Sequence, residues 1–271
     1  MTALISVRDL TVSYPDHGAR RLFGPVPRKT ILHGVTLELP KGRITGIVGE
    51  SGSGKSTLGR ALVRLVRPDA GQIIWAGGDR PVDLAPLDEA QLKPLRQDLQ
   101  MIFQDPMSSL NPRQKIWQLI AWPLRRYGLD ASRAAACAAL ERVHLGAAFA
   151  DRFAHQLSGG QRQRVGIARA IALNPQFILA DEIVSGLDVS SQATVLTLLQ
   201  DLARDMNLTV AFISHDLSVI RHLCDDLIVL NHGRIVESGP VAQIFDAPSA
   251  AETRKLIAAV PLPKPDAEWL T

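Results

Sequence analysis

Only two cysteines, Cys137 and Cys224, occur in 271 residues, far apart and with no CxxC pair. That excludes a disulfide framework and a metal or iron–sulfur site built from cysteine, and reduced thiols in a cytosolic setting are expected. No window approaches the ~18 apolar residues that a membrane-spanning helix needs. The start, MTALISVRDL, lacks a basic run followed by an apolar stretch, so no signal peptide is expected. Any membrane role must then run through a partner. Neither sign of charge dominates: 30 Lys and Arg against 27 Asp and Glu leave a formal +3, a weak basis for binding nucleic acid or an anionic membrane. Long heptad stretches are missing as well. What remains is ordinary globular usage, 46% hydrophobic and 21% charged, in a length compatible with one core carrying insertions.

The apolar residues fall into short runs. Residues 4–12 and 31–39 mix apolar and polar positions as strands do, with a break predicted at Tyr14-Pro15 and a loop over 16–29. That loop carries Arg20, Arg21, Arg28 and Lys29 among glycines and prolines, and a solvated loop is its plain reading. Ile44 to Val48, Phe177 to Ala180 and Val210 to Ile213 read as buried strands. Helical spacing follows Lys55, and helices are predicted over 161–173 and 191–207. Residues 116–143 turn helical and alanine-rich, resembling an insert. Residues 228–230 and 234–236 flank Gly233 as a hairpin, and three prolines over 261–265 suggest an extended tail. Strand and helix in alternation predict an α/β fold with a parallel sheet.

Two segments carry chemistry. Gly49-Glu50-Ser51-Gly52-Ser53-Gly54-Lys55-Ser56-Thr57 contains G-x-x-x-x-G-K-[ST], placed after a buried strand and opening a helix. Glycines let several N–H groups turn around one anion, and the helix adds the positive end of its dipole. Lys55 is expected to reach the β- and γ-phosphates of a nucleotide, and Ser56 to ligate Mg²⁺. The glycines do not fit the dinucleotide pattern G-x-G-x-x-G. Further on, Asp181 and Glu182 end a buried strand; Asp181 suits the Mg²⁺ shell, and Glu182 suits the polarisation of an attacking water. Gln104 is a candidate sensor of γ-phosphate or metal, and His215, just past the next strand, a γ-phosphate contact. A lone glutamine or histidine is usually structural; these two gain weight from their place in the series.

Taken in order, GESGSGKST at 49–57, Gln104, LSGGQ at 157–161, ADE at 180–182, SGLD at 185–188 and His215 resemble the ATP-binding-cassette (ABC) ATPases. The resemblance covers roughly residues 5–245. It implies a P-loop NTPase ABC cassette: a RecA-like core, an antiparallel β subdomain and a helical subdomain at about 106–160, followed by a C-terminal extension over 246–271. It implies that Tyr14 stacks on adenine. It also implies a head-to-tail pair in which Ser158 and Gly160 contact ATP held by the other subunit. A serine hydroxyl and glycine N–H groups at a helix start suit that second anion site.

A closer resemblance, to the oligopeptide, dipeptide and nickel importer ATPases, lies in FQDPMSSLNPR at 103–113, SHDLSVIRH at 214–222 and LIAAVP at 256–261. The basic loop at 16–29 resembles an insertion common in the second ATPase of such pairs. The implied partners are a second ABC ATPase, identical or different, two transmembrane permease subunits contacted through the segment after Gln104, and an extracytoplasmic solute-binding protein. The implied place is the cytoplasmic face of the inner membrane. Ile183 stands where the family usually has proline, and Gly186 where alanine is common. The alternative is a soluble ATPase of the same fold acting on nucleic acid or ribosomes. A P-loop kinase or GTPase has no use for LSGGQ, and no guanine-reading N-K-x-D is present.

Overall fold

The computed structural model describes residues 2–16, 18, 26–105 and 110–259. Strands β1 (Ala3–Pro15), β2 (Arg28–Pro40), β3 (Ile44–Val48), β4 (Ala70–Trp75), β5 (Val82–Asp83), β6 (Leu99–Ile102), β7 (Phe177–Asp181), β8 (Thr209–Ile213), β9 (Asp226–Asn231) and β10 (Arg234–Pro240) form two sheets. The larger has the order β10-β9-β3-β8-β7-β6; its strands run parallel except β10, which returns antiparallel beside β9. The smaller is antiparallel, ordered β2-β1-β4-β5. The helices are α1 (Lys55–Leu62), α2 (Glu89–Leu95), α3 (Ile116–Arg126), α4 (Arg133–Glu141), α5 (Gly159–Ile171), α6 (Val189–Asp205), α7 (Leu217–Leu223), α8 (Val241–Asp246) and α9 (Ala251–Ala258). Among the described residues no helix is long and apolar enough to cross a membrane.

The apolar strands of the large sheet are apolar throughout because both faces are covered. Alternate residues divide between two cores. Ile178, Ala180, Val210 and Phe212 face one built largely from α3 to α7. Phe177, Leu179, Ala211 and Ile213 face the other, closed by α1 and the small sheet. Helix α1 lies close on that second face: a Cβ at Gly59 would stand 2.8 Å from Leu179 Cδ1 and 2.9 Å from Ile213 Cδ1. That contact presses the helix and the loop before it onto the ends of β7 and β8.

Two boundaries need correction. The first strand runs past Val12 and ends at Tyr14-Pro15: β1 pairs through Pro15 with Arg28, at the strand end where proline's missing N–H costs no ladder bond. Arg28 and Lys29 therefore belong to β2 rather than the loop, and Arg28 reaches Asp69 at 2.9 Å. The stretch expected to be helical, 116–143, is helical and divides into two helices. Gly128, at φ 70°, ends α3: its N–H donates to Arg125 O and that of Leu129 to Leu124 O, the glycine-terminated pattern of helix ends. The Ser132 hydroxyl then accepts from Ala135 N to start α4. Finally, the helix after the LSGGQ segment begins at Gly159, two residues earlier than predicted, because Ser158 caps it. Most of the basic loop, residues 106–109 of the 103–113 string and the prolines at 261–265 lie outside the described residues.

Candidate nucleotide site

The parallel strands deliver the expected residues to one end of the sheet. The 49–54 loop follows β3, His215 follows β8, Asp181 and Glu182 end and follow β7, and Gln104 follows β6. In open α/β sheets this carboxyl end is where ligands bind. A cleft of about 520 Å³ opens there, lined by Tyr14 and Ile31, by Glu182 and His215, and by residues 49–57 apart from Glu50 and Ser53. Gly49 adopts φ 153°, and a Cβ there would stand 2.0 Å from the Leu230 carbonyl oxygen, so the loop passes β9 only as glycine.

Within the cleft Lys55 is 8% exposed, and its ammonium donates to Gly49 O at 2.9 Å and Glu50 O at 3.0 Å. Burial lowers its pKa, opposed by the nearby Glu182 and Asp181 carboxylates. The cation is thus held against the loop backbone, inside the space the loop encloses. Ser56 donates its hydroxyl to Asp181 Oδ1 at 3.2 Å. Asp181 is 5% exposed, and burial raises its pKa against the lowering effect of that hydrogen bond. A desolvated carboxylate beside a hydroxyl is a pair of hard oxygen donors that a small divalent cation would satisfy.

Glu182 accepts a hydrogen bond from Gln104 Nε2 at 3.0 Å, and His215 Nδ1 lies 3.8 Å from its other carboxylate oxygen. The two residues nominated from their place in the chain therefore bracket the third. Ser158 and Gly160 stand apart from this cleft. They line a separate pocket of about 100 Å³ together with Gln161, Arg164 and Ser191. Ser158 and Gln161 bond reciprocally, the hydroxyl accepting from Gln161 N and the Gln161 Oε1 from Ser158 N. Gly160 packs closely on Ser191, where a Cβ would stand 3.1 Å from both its Cβ and Oγ. Within one copy, Ser158 and Gly160 therefore stand apart from residues 49–57.

Other placements were not expected. Ser53 is buried, and the Glu50 side chain turns to Lys255 at 3.0 Å. Ile31 joins the cleft wall without any local signal beyond strand alternation.

Residues 32–185 match the model of the ABC transporter family. The chain belongs to that family. It is 44% identical over 269 residues to a putative peptide import ATP-binding protein of Brucella ovis, covering 98% of this chain and 81% of that one. It is 43% identical over 271 residues to the oligopeptide transport ATP-binding protein OppF of Salmonella typhimurium, covering 98% and 80%. Among solved structures, an ATP-binding cassette in a dimeric, post-hydrolysis state bound to ADP and Pi matches with a TM-score of 0.74 at 28% identity, over 88% of this chain and 98% of that one. The fold is accordingly that of an ABC ATPase cassette.

Proposed function

We propose that this chain is the ATP-hydrolysing subunit of an ABC importer for peptides or related small solutes. The carrying observation is the cleft that combines the phosphate loop with Glu182, itself held by Gln104 and faced by His215. The names of the relatives supply the direction of transport and the solute class. They favour import over action on nucleic acid or ribosomes.

In this reading Tyr14 stacks on adenine, and residues 49–57 hold the phosphates through backbone N–H groups and Lys55. Ser56 and Asp181, with Gln104, would hold Mg²⁺, whose chemistry is to neutralise charge on the transferring phosphoryl group. Glu182 accepts a proton from the attacking water while Gln104 fixes its carboxylate. His215 orients on the same side. Ser158 and Gly160 complete the site of a second ATPase subunit docked head to tail, and that subunit does the same in return.

The permease contact is proposed at the groove of about 310 Å³ lined by Leu65, Phe103, Trp122 and Tyr127. Leu65, Phe103 and Trp122 are exposed, and large exposed apolar side chains around one groove mark a docking surface. Its edge is Phe103, beside Gln104. The helical subdomain is read at about 106–160, a range that includes α3 and α4, within a 5–245 ATPase domain and with 246–271 as an extension. Two permease subunits and an extracytoplasmic binding protein complete the assembly, with this chain peripheral on the cytoplasmic face.

The test is purification of the full chain with its membrane partners, followed by ATPase and uptake assays with the Glu182→Gln variant. Turnover is expected to fall by about two orders of magnitude or more, the range for losing a positioned base, with ATP binding kept. Wild-type turnover in the variant, or co-purification with no permease, would sink the reading.

A further inference from the structure

Helix α9 reaches the phosphate loop from the far end of the chain. Its start is tied to β10: Glu237 accepts from Ser249 N and Ser249 Oγ, both at 2.8 Å, and from Ala250 N at 3.1 Å. Thr253 is buried, and Leu256 and Ile257 pack against the larger core. Leu256 and Ala259 also wall a space of about 470 Å³ shared with Gly49, His215 and Asp216. From this anchored helix Lys255 Nζ donates to Glu50 Oε1 at 3.0 Å. Glu50 is the one carboxylate in residues 49–57.

We infer that Lys255 is a positioning residue for nucleotide binding: it holds and neutralises the Glu50 carboxylate beside the loop that receives the phosphates. This inference rests on the reading of residues 49–57 as an ATP phosphate site. The side chains are 78% and 49% exposed, so the pair adds little to global stability. Its consequence is local. Without Lys255, a free carboxylate stands next to the incoming triphosphate, repelling it and releasing the loop from α9. Lys255 also lowers the pKa of Glu50, first through the hydrogen bond and then through its charge.

The test measures affinity of the purified full chain for a fluorescent ATP analogue at low and high salt. Lys255→Ala and Lys255→Gln are expected to weaken binding about 3- to 10-fold at about 50 mM salt, and to approach wild type at about 500 mM. Lys255→Arg keeps the charge and retains affinity. In a Glu50→Gln background, Lys255→Ala adds no further loss. Unchanged affinity of Lys255→Ala at low salt, a loss that salt does not relieve, or a loss that persists beside Glu50→Gln would each overturn the inference alone. Failure of the wild-type chain to bind the analogue would instead overturn the ATP reading and this inference with it.

Discussion

Glu182 occupies the left-handed backbone region, with φ 49°. A non-glycine residue there costs about 1–2 kcal/mol, and such strain collects at working sites. The surroundings hold it: its N–H donates to Ile213 O, its C=O accepts from Ser185 N, and Gln104 holds the carboxylate. The turn aims the side chain into the cleft rather than onward along the strand. Lys55 is set by opposite means, through burial against the loop's own carbonyls. Replacing it with alanine removes a charged donor to phosphate, a bond of the class that contributes about 1.5–3 kcal/mol. Lys55→Ala is therefore expected to weaken ATP binding by about 10- to 100-fold in an equilibrium titration. Unchanged affinity would show that the loop N–H groups suffice. Both side chains were legible from their motifs. Their partners were not, because Gln104 and Glu182 are 78 residues apart and meet only through β6 and β7.

Among the elements, the start of α9 is tied to β10 through one carboxylate, Glu237. Burial alone would raise the Glu237 pKa, but hydrogen bonds from the Ser249 N–H and hydroxyl and the Ala250 N–H help to outweigh it, and the group is held at about 2. A depressed carboxylate contributes stability that is present above its ordinary value of 4.5 and lost as pH falls toward about 2. Hydrogen exchange over residues 251–258 should accordingly quicken relative to the sheet between those limits. Glu237→Gln should show the quickened exchange already at neutral pH and little further change on acidification. Equal protection in both proteins at neutral pH would rule out this anchoring. Nothing local announces the anchor, since Glu237 reads as one more polar residue of a hairpin strand. The helical, alanine-rich character of 116–143 was legible, whereas its division into two helices comes from local signals at Gly128, which stops α3, and Ser132, which starts α4.

Across the whole molecule, the distinct pocket around Ser158 matters most. The residues nominated for phosphate contact do not converge within one copy, so the proposed function requires a second. Ser158→Arg would fill the pocket with a long side chain and remove the hydroxyl cap of α5. ATP binding to the phosphate loop is expected to stay within about twofold of wild type, because the cleft does not include Ser158. Dimerisation driven by ATP should be lost, measured by light scattering in a Glu182→Gln background that prevents hydrolysis. A dimer that persists would remove Ser158 from the interface.

Motif order and alternating apolar runs already carried the cassette, the Gly49–Thr57 segment between a buried strand and a helix, and the Asp181-Glu182 pair at the end of a buried strand. Each of these is written within a few consecutive residues, where backbone dihedrals, helix dipoles and glycine freedom act. Strand order, the bracketing of Glu182 and the reach of Lys255 to Glu50 across 205 residues came from packing. Those contacts join segments that no local interaction links, and they exist because two cores force the carboxyl ends of β3, β8, β7 and β6 side by side.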